Sequence, residues 1–273
     1  MNKRDFLNQS LTDVRSAITS GRSLIRKKYP KSISPVKPEQ FYSILDNYDD
    51  EEVFVHAGLS DIHSAFKTDP YIFLRDALIK KFNSILVPGF SPSFKNSGLF
   101  HKKYSRPEYG MFQRLFLTDC DYRTDDPIHS ILINGPYRFN ISDKKNTFGS
   151  NGWFSQLESD NMLYLSIGMP WFRSTQLHYL ECKFNVPYIE RPEYQGVIYY
   201  DNNRHKNIRQ KNYQNKNPHI YAFNKMKIEK QLIRAGVMDK YNLSGLRIYL
   251  TRAKSIQQVL APKIRSDPYY LVN

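Results

Sequence analysis

Ile167-Gly168-Met169-Pro170-Trp171-Phe172-Arg173-Ser174-Thr175-Gln176-Leu177-His178-Tyr179-Leu180-Glu181 is the stretch on which the reading of this chain turns. Just before it, Met162-Leu-Tyr-Leu-Ser-Ile167 is an apolar run with the length and composition of a buried strand, and Gly168 and Pro170 end it. The segment after it regains helical periodicity over Ser174–Cys182 and carries His178 and Glu181. Three residues apart on a helix, these two side chains share one face. An imidazole and a carboxylate would then stand together just past a strand end, where open α/β sheets place their sites. Histidine is the side chain best matched to moving a proton near neutral pH. Elsewhere in a chain, His-x-x-Glu reads as a pair on a helix surface; following strand-Gly-x-Pro, it reads as a candidate site.

Outward from this segment the pattern is α/β. Glu52–Ala57 reads as a strand, and Thr68-Asp69-Pro70 gives a helix start with an N-cap and a proline in the first turn. Leu74, Ala77, Leu78 and Phe82 form the buried stripe, and Ser84–Pro88 is the next strand. Strand-helix-strand implies a right-handed crossover in a partly parallel sheet. Further on, Gly196–Tyr200 reads as a strand, Asp201–Pro218 as an exposed basic loop and Tyr221–Ala235 as a helix closed by Gly236. Arg247–Thr251 reads as a strand and Ser255–Ile264 as a helix. Residues 1 to 35 read as a basic helix ended by prolines, so the division expected is an extension over 1–40 and one domain over 41–273.

Four blocks, in order, resemble the aminoglycoside 3-N-acetyltransferase family. They are Gly168, Pro170, Thr175, Leu177, His178 and Glu181; Arg123-Thr-Asp-Asp-Pro-Ile-His-Ser130 with Gly135-Pro136; Val55-His-Ala-Gly-Leu-Ser60; and Thr147-Phe-Gly-Ser150 through Trp153. The resemblance covers about residues 50 to 190. It implies a single three-layer α/β domain with a central mixed sheet flanked by helices, and an acetyl-CoA or other acyl-CoA co-substrate. It makes His178 the general base that activates an acceptor amine for direct attack on the thioester. Glu181 would orient the imidazole or bind the acceptor ammonium. Thr175 would place a hydroxyl at the oxyanion or, equally, cap its own helix. The same resemblance points to His56, Ala57, Gly58 and Ser60 with Arg123, Thr124 and Ser130 for CoA. His56 alternatively packs as a strand-end histidine, and Arg123 alternatively ties a loop to the sheet. Trp171, Phe172, Asp125 and Asp126 are the candidates for acceptor binding. Phe172 stands where drug-modifying members often carry Asp or Asn six residues before the histidine, and Asp126 replaces the family's histidine before Pro127. Asp125 and Asp126 are then the carboxylates available to support His178.

Composition narrows the partners. With 40 Lys and Arg against 26 Asp and Glu, the formal charge is +14, which favours an anionic partner. No helix-turn-helix, zinc-finger or aromatic ribonucleoprotein motif accompanies the charge, so a nucleic acid is not expected. Lys95, Lys102, Lys103 and Arg106 against Glu108 would repel a polycationic drug and attract an amino sugar joined to a nucleoside diphosphate. The expectation is N-acylation of such a sugar in surface-polysaccharide or natural-product biosynthesis. An aminoglycoside-resistance enzyme and a non-catalytic binding protein on the same fold are the competing readings. Two cysteines, no secretory signal and no apolar span suggest a cytoplasmic protein, the histidines show no metal-ligand spacing, and a homodimer stays open.

Overall fold

The computed structural model describes residues 33–201 and 203–272. Its centre is a seven-stranded mixed sheet in the order β11-β12-β6-β1-β2-β5-β4. The parallel heart is β1 (Glu52–Ala57) between β2 (Ser84–Pro88) and β6 (Leu163–Ile167). Antiparallel strands extend it: β5 (Ile131–Asn134) and β4 (Tyr122–Arg123) on one side, β12 (Leu246–Arg252) and β11 (Met238–Leu243) on the other.

Side-chain alternation along these strands builds two cores. Phe54, Leu86, Tyr164 and Tyr249 face one way, onto α6 (Trp153–Ser159), α7 (Gln176–Lys183), α8 (Lys225–Arg234) and α9 (Ala253–Ser266). Val53, Val55, Ile85, Leu163, Leu165 and Ile248 face the other way, onto α1 (Pro38–Asp46), α2 (Leu59–Phe66) and α3 (Pro70–Lys81). Strands covered on both faces read as unbroken apolar runs, which is why β1, β2 and β6 are legible without alternation. Asp69 caps α3, its carboxylate accepting from the Tyr71 and Ile72 N–H groups at 2.9 Å.

The chain leaves β1 for α2 on one face and leaves β6 for α7 on the opposite face. Two neighbouring parallel strands whose connections diverge open a crevice at their carboxyl ends. Gly58 and Gly168 pinch that exit together. The Gly58 N–H donates to the Ile167 carbonyl at 2.9 Å, and a Cβ on either glycine would run into the other's carbonyl oxygen. Gly168 also sits at φ +69°, so it meets both demands that only glycine satisfies cheaply.

Two sequence expectations change, and a third falls largely outside the described residues. The boundary at residue 40 cuts α1, whose Phe41, Ile44 and Leu45 lie in the core, and Val36 already donates its N–H to Ala65, so the domain begins before residue 40. The basic helix expected over residues 1 to 35 lies, up to residue 32, outside the described residues. The segment expected as an exposed loop over Asp201–Pro218 contains β9 (His205–Lys211), antiparallel to β8 (Glu193–Tyr199) through seven paired positions. β3 (Leu99–His101) adds to β8 in parallel, so these strands make a second, three-stranded sheet. Among the described residues no helix is long and apolar enough to cross a membrane.

Candidate active site

α7 begins at Thr175 and is fixed by Gln176. The Gln176 amide oxygen accepts from the Tyr164 hydroxyl at 2.9 Å, and its nitrogen donates to the Phe154 carbonyl at 3.3 Å. This ties the first turn to β6 and α6, and the next turn presents His178 and Glu181 together. His178 Nδ1 lies 2.8 Å from Glu181 Oε2, and the Glu181 side chain is 2% exposed against 27% for His178. A carboxylate only accepts, so the assigned tautomer has Nδ1–H donating and Nε2 carrying the lone pair. This is the arrangement of a base held by an orienting carboxylate.

His178 forms part of the wall of a cavity of about 590 Å³ at the β1/β6 exit. His56 and Ala57 at the end of β1, Phe172 and Thr175 before α7, and His129 complete the inner wall. His56 Nε2 is 3.3 Å from the Thr175 hydroxyl, and its buried Nδ1 has no partner among the described residues. Burial, with help from Arg173, pushes His56 down to about 3. His129 accepts at Nδ1 from the Asn212 amide at 2.7 Å and is held well below the usual histidine range by burial first, then by His178 and Lys95. Both are therefore neutral imidazoles at any working pH.

Above the ordinary histidine value of 6.5 these two groups cost the fold nothing in protonation. Below it, the unfolded chain binds protons that the buried rings refuse, so stability falls with pH, toward about 3 for His56. Each histidine should remove about 1.4 kcal/mol per pH unit over its window. Asp126, raised to about 6 chiefly by burial, works in the opposite direction below that pH and offsets part of the loss. Urea unfolding of His56→Asn between pH 6.5 and 5 should therefore show a pH dependence shallower than wild type by about 2 kcal/mol. Identical slopes would mean that His56 titrates normally.

The cavity's charge is lopsided. Lys95, Arg173 and Lys225 line it against one carboxylate, Glu108, which already accepts the Ser93 N–H at 2.9 Å. Among the described residues none of the three cations has a carboxylate within ion-pair distance. Burial pushes Lys95 and Lys225 down, and Arg173 lowers Lys225 further. Asp126 acts on Lys95 through space and balances part of its charge, but cations in this excess around one cavity make an anion site.

The 123–130 segment does not serve as expected. Arg123, 4% exposed, donates Nε–H to Ser130 Oγ, Nη1 to the carbonyls of Lys102 and Ser105, and Nη2 to the Gly89 carbonyl and Ser91 Oγ, all within 3.1 Å. Five N–H groups meet five acceptors, so no donor is left for a phosphate. Ser130 also donates to Gly89, and the Thr124 hydroxyl accepts from the Ile131 N–H. These three residues hold a loop to the sheet, the alternative that the sequence offers for Arg123. Ser60 lies exposed on α2, outside the cavity wall, and Gly58 is occupied in the strand pinch.

Neither aspartate supports His178. Asp125 binds Lys102 Nζ at 2.6 Å and the Tyr200 hydroxyl at 3.3 Å, in a separate groove of about 670 Å³ beside Lys145, Lys206 and Arg209. Asp126 is buried, accepting from the Ile128 and His129 N–H groups, Thr147 Oγ1 and Gln210 Nε2. Among the described residues the carboxylate on His178 is Glu181 alone. Phe172 is buried against Tyr249 and lines the cavity; Trp171 lies under Lys225, whose Nζ is 4.7 Å from its ring centre.

Among the wall residues that sequence reasoning missed are His129, Tyr213, Phe223 and Arg173. His129 is buried, its N–H donating to Asp126 in the same loop. Tyr213 and Phe223 lie 35 and 45 positions beyond His178, too distant for any local pattern to join them to it. Arg173 lies within the quoted segment, but its charge gives no sign of pointing into a cavity. Among the described residues no three His, Cys, Asp or Glu side chains group as metal ligands.

Residues 87–263, more than half of the chain, match the family model described as aminoglycoside 3-N-acetyltransferase. No curated protein sequence matches the chain. Among solved structures, the apoenzyme of aminoglycoside acetyltransferase AAC(3)-IVa aligns at a TM-score of 0.67 and 15% identity, covering 88% of this chain and 93% of its own. AAC-IIIb, solved as a binary complex with CoASH, aligns at 0.67 and 14%, covering 85% and 97%. The YokD protein from Bacillus subtilis aligns at 0.65 and 14%, covering 87% and 96%. The mixed sheet thus has the fold of the aminoglycoside acetyltransferase structures that it matches. The family match places the chain within that class: it belongs to the aminoglycoside 3-N-acetyltransferase family.

Proposed function

We propose that this protein transfers an acyl group, acetyl in the simplest case, from acyl-CoA to the amine of an anionic amino sugar, such as one linked to a nucleoside diphosphate. The observation that carries the reading is His178 at the wall of the 590 Å³ cavity, with Nδ1 on buried Glu181 and three cations against one lining carboxylate. AAC-IIIb binds CoASH, and AAC(3)-IVa has been solved in complex with a gentamicin; these facts belong to those proteins and support a CoA thioester meeting a sugar amine here.

The acceptor nitrogen attacks the thioester carbonyl carbon as His178 Nε2 takes its proton. The tetrahedral oxyanion collapses, the C–S bond breaks, and the sulfur leaves with the proton that His178 gives up. Glu181 stabilises the imidazolium in between. Neutral His56 and the Thr175 hydroxyl, 3.3 Å apart at the strand exit, are the polar groups placed to meet the oxyanion or the pantetheine. Lys95, Arg173 and Lys225 would hold phosphates. We place this work in a cytoplasmic sugar-nucleotide pathway.

Family membership supports a second reading, acetylation of an aminoglycoside antibiotic. Acceptor-dependent thiol release separates the two. The nucleotide-linked amino sugar should be the better substrate, and joint Arg173→Glu and Lys225→Glu substitution should raise its KM by about 100-fold, roughly tenfold for each charge-assisted contact. A higher kcat/KM for an aminoglycoside, or drug protection on expression of the gene, would favour the second reading instead.

A further inference from the structure

We infer that Tyr213, on the turn after β9, is a positioning residue of this reaction: with Phe223 it forms an aromatic clamp that holds the His178 imidazole and stabilises its protonated form. The inference rests on the proposed role of His178 as the base. Tyr213 stacks on His178 with ring centres 4.1 Å apart and planes at 21°, and Phe223 lies 4.9 Å away at 33°. Among the described residues each of these two aromatic rings meets the imidazole and not the other. The Tyr213 hydroxyl is 2.9 Å from His178 Nε2. With Nδ1–H donating to Glu181, Nε2 accepts from that hydroxyl in the resting site. The hydroxyl gives way to the acceptor nitrogen before Nε2 takes a proton, while the stacked ring stays on the imidazole.

The clamp supplies something this chain lacks elsewhere. Phe172 offers no hydrogen bond to the imidazole, and Asp125 and Asp126 are engaged away from it. Glu181 holds Nδ1, and once the Tyr213 hydroxyl gives way to the acceptor that single hydrogen bond leaves the ring free to rock about it. The two aromatic rings packed on the imidazole restrict that freedom and attract the positive charge that develops as the proton is taken. A built network places Tyr213. Asn212 accepts the Tyr213 N–H on its amide oxygen at 2.8 Å, while its nitrogen donates to His129 at 2.7 Å and to Thr147 at 3.1 Å. Thr147 in turn donates to buried Asp126 at 2.5 Å. The basic, asparagine-rich stretch that reads in sequence as an exposed loop thus delivers a wall of the active site.

The test is acceptor-dependent thiol release from acetyl-CoA by Tyr213→Phe, Tyr213→Leu and Tyr213→Met, beside wild type and His178→Ala. Circular dichroism checks the fold, and methionine keeps the bulk should leucine not fold. Tyr213→Phe keeps the ring face and should hold kcat within about threefold of wild type. Leucine and methionine should lower kcat about 30-fold with the KM for acetyl-CoA unchanged, the size of a desolvated cation–π contact. Full kcat in folded Tyr213→Leu or Tyr213→Met overturns the clamp. Loss in Tyr213→Phe equal to that in Tyr213→Leu overturns it too, because the hydroxyl would then be the active part. Either result leaves the base assignment standing if His178→Ala is inactive; no turnover by wild type with any amine would instead remove the proposed function itself.

Discussion

His178→Ala should lose about a thousandfold in kcat/KM for acyl transfer, the middle of the range for a general base. The loss should fall on kcat. Calorimetric titration should find acyl-CoA and the acceptor bound much as in wild type, because Lys95, Arg173, Lys225 and the rest of the cavity wall are untouched. The magnitude follows from the lack of a substitute. His56 and His129 also line the cavity, but burial holds both neutral far below the pH at which a base must cycle, and His129 already accepts a hydrogen bond at Nδ1. Glu181 sits behind the ring, 2% exposed, and reaches the acceptor only through it. Glu181→Gln should cost less, because an amide still bonds Nδ1 but cannot balance the imidazolium charge.

Arg123→Lys should destabilise the protein by about 3–5 kcal/mol, since lysine leaves several of five buried acceptors unsatisfied at about 1–3 kcal/mol each. In thermal unfolding that is a fall in Tm on the order of 10 °C for a domain of this size. Lysine keeps the charge but not the fork that reaches Ser130, Gly89, Ser91, Lys102 and Ser105 together. At a temperature where the variant is folded, its KM for acyl-CoA should match wild type. The opposite pair of results, an unchanged Tm with a raised KM, would return Arg123 to the phosphate-binding role that the resemblance implied. The experiment thus separates a residue that shapes the site from one that touches a ligand.

What can be read in advance follows from which contacts are local. β1, β2 and β6 announce themselves because strands buried on both faces must be apolar throughout. Asp69 and Gly236 mark helix ends because capping is a matter of adjacent backbone groups. His178 and Glu181 are legible because helical spacing alone puts them on one face. β9 is not, because its seven residues leave only Gln210 buried; a strand held by backbone pairing to β8, with polar side chains toward solvent, has no apolar period. β11, another edge strand with mostly exposed polar side chains, is hidden for the same reason. Asp125 and Asp126 are neighbours in sequence, yet one faces a groove and the other the interior, and composition does not distinguish them. The aromatic partners of His178 require the complete topology, since Tyr213 and Phe223 arrive after the second sheet has been built.

Thiol release from acetyl-CoA by the wild-type protein, followed with and without an amino-sugar acceptor, tests most directly whether an amine and a CoA thioester meet at this imidazole. Release is expected only when both are present, in equal amount with an N-acetylated sugar identified by mass spectrometry. Binding of acetyl-CoA with no release for any amine, or release at the same rate without an acceptor, would contradict it.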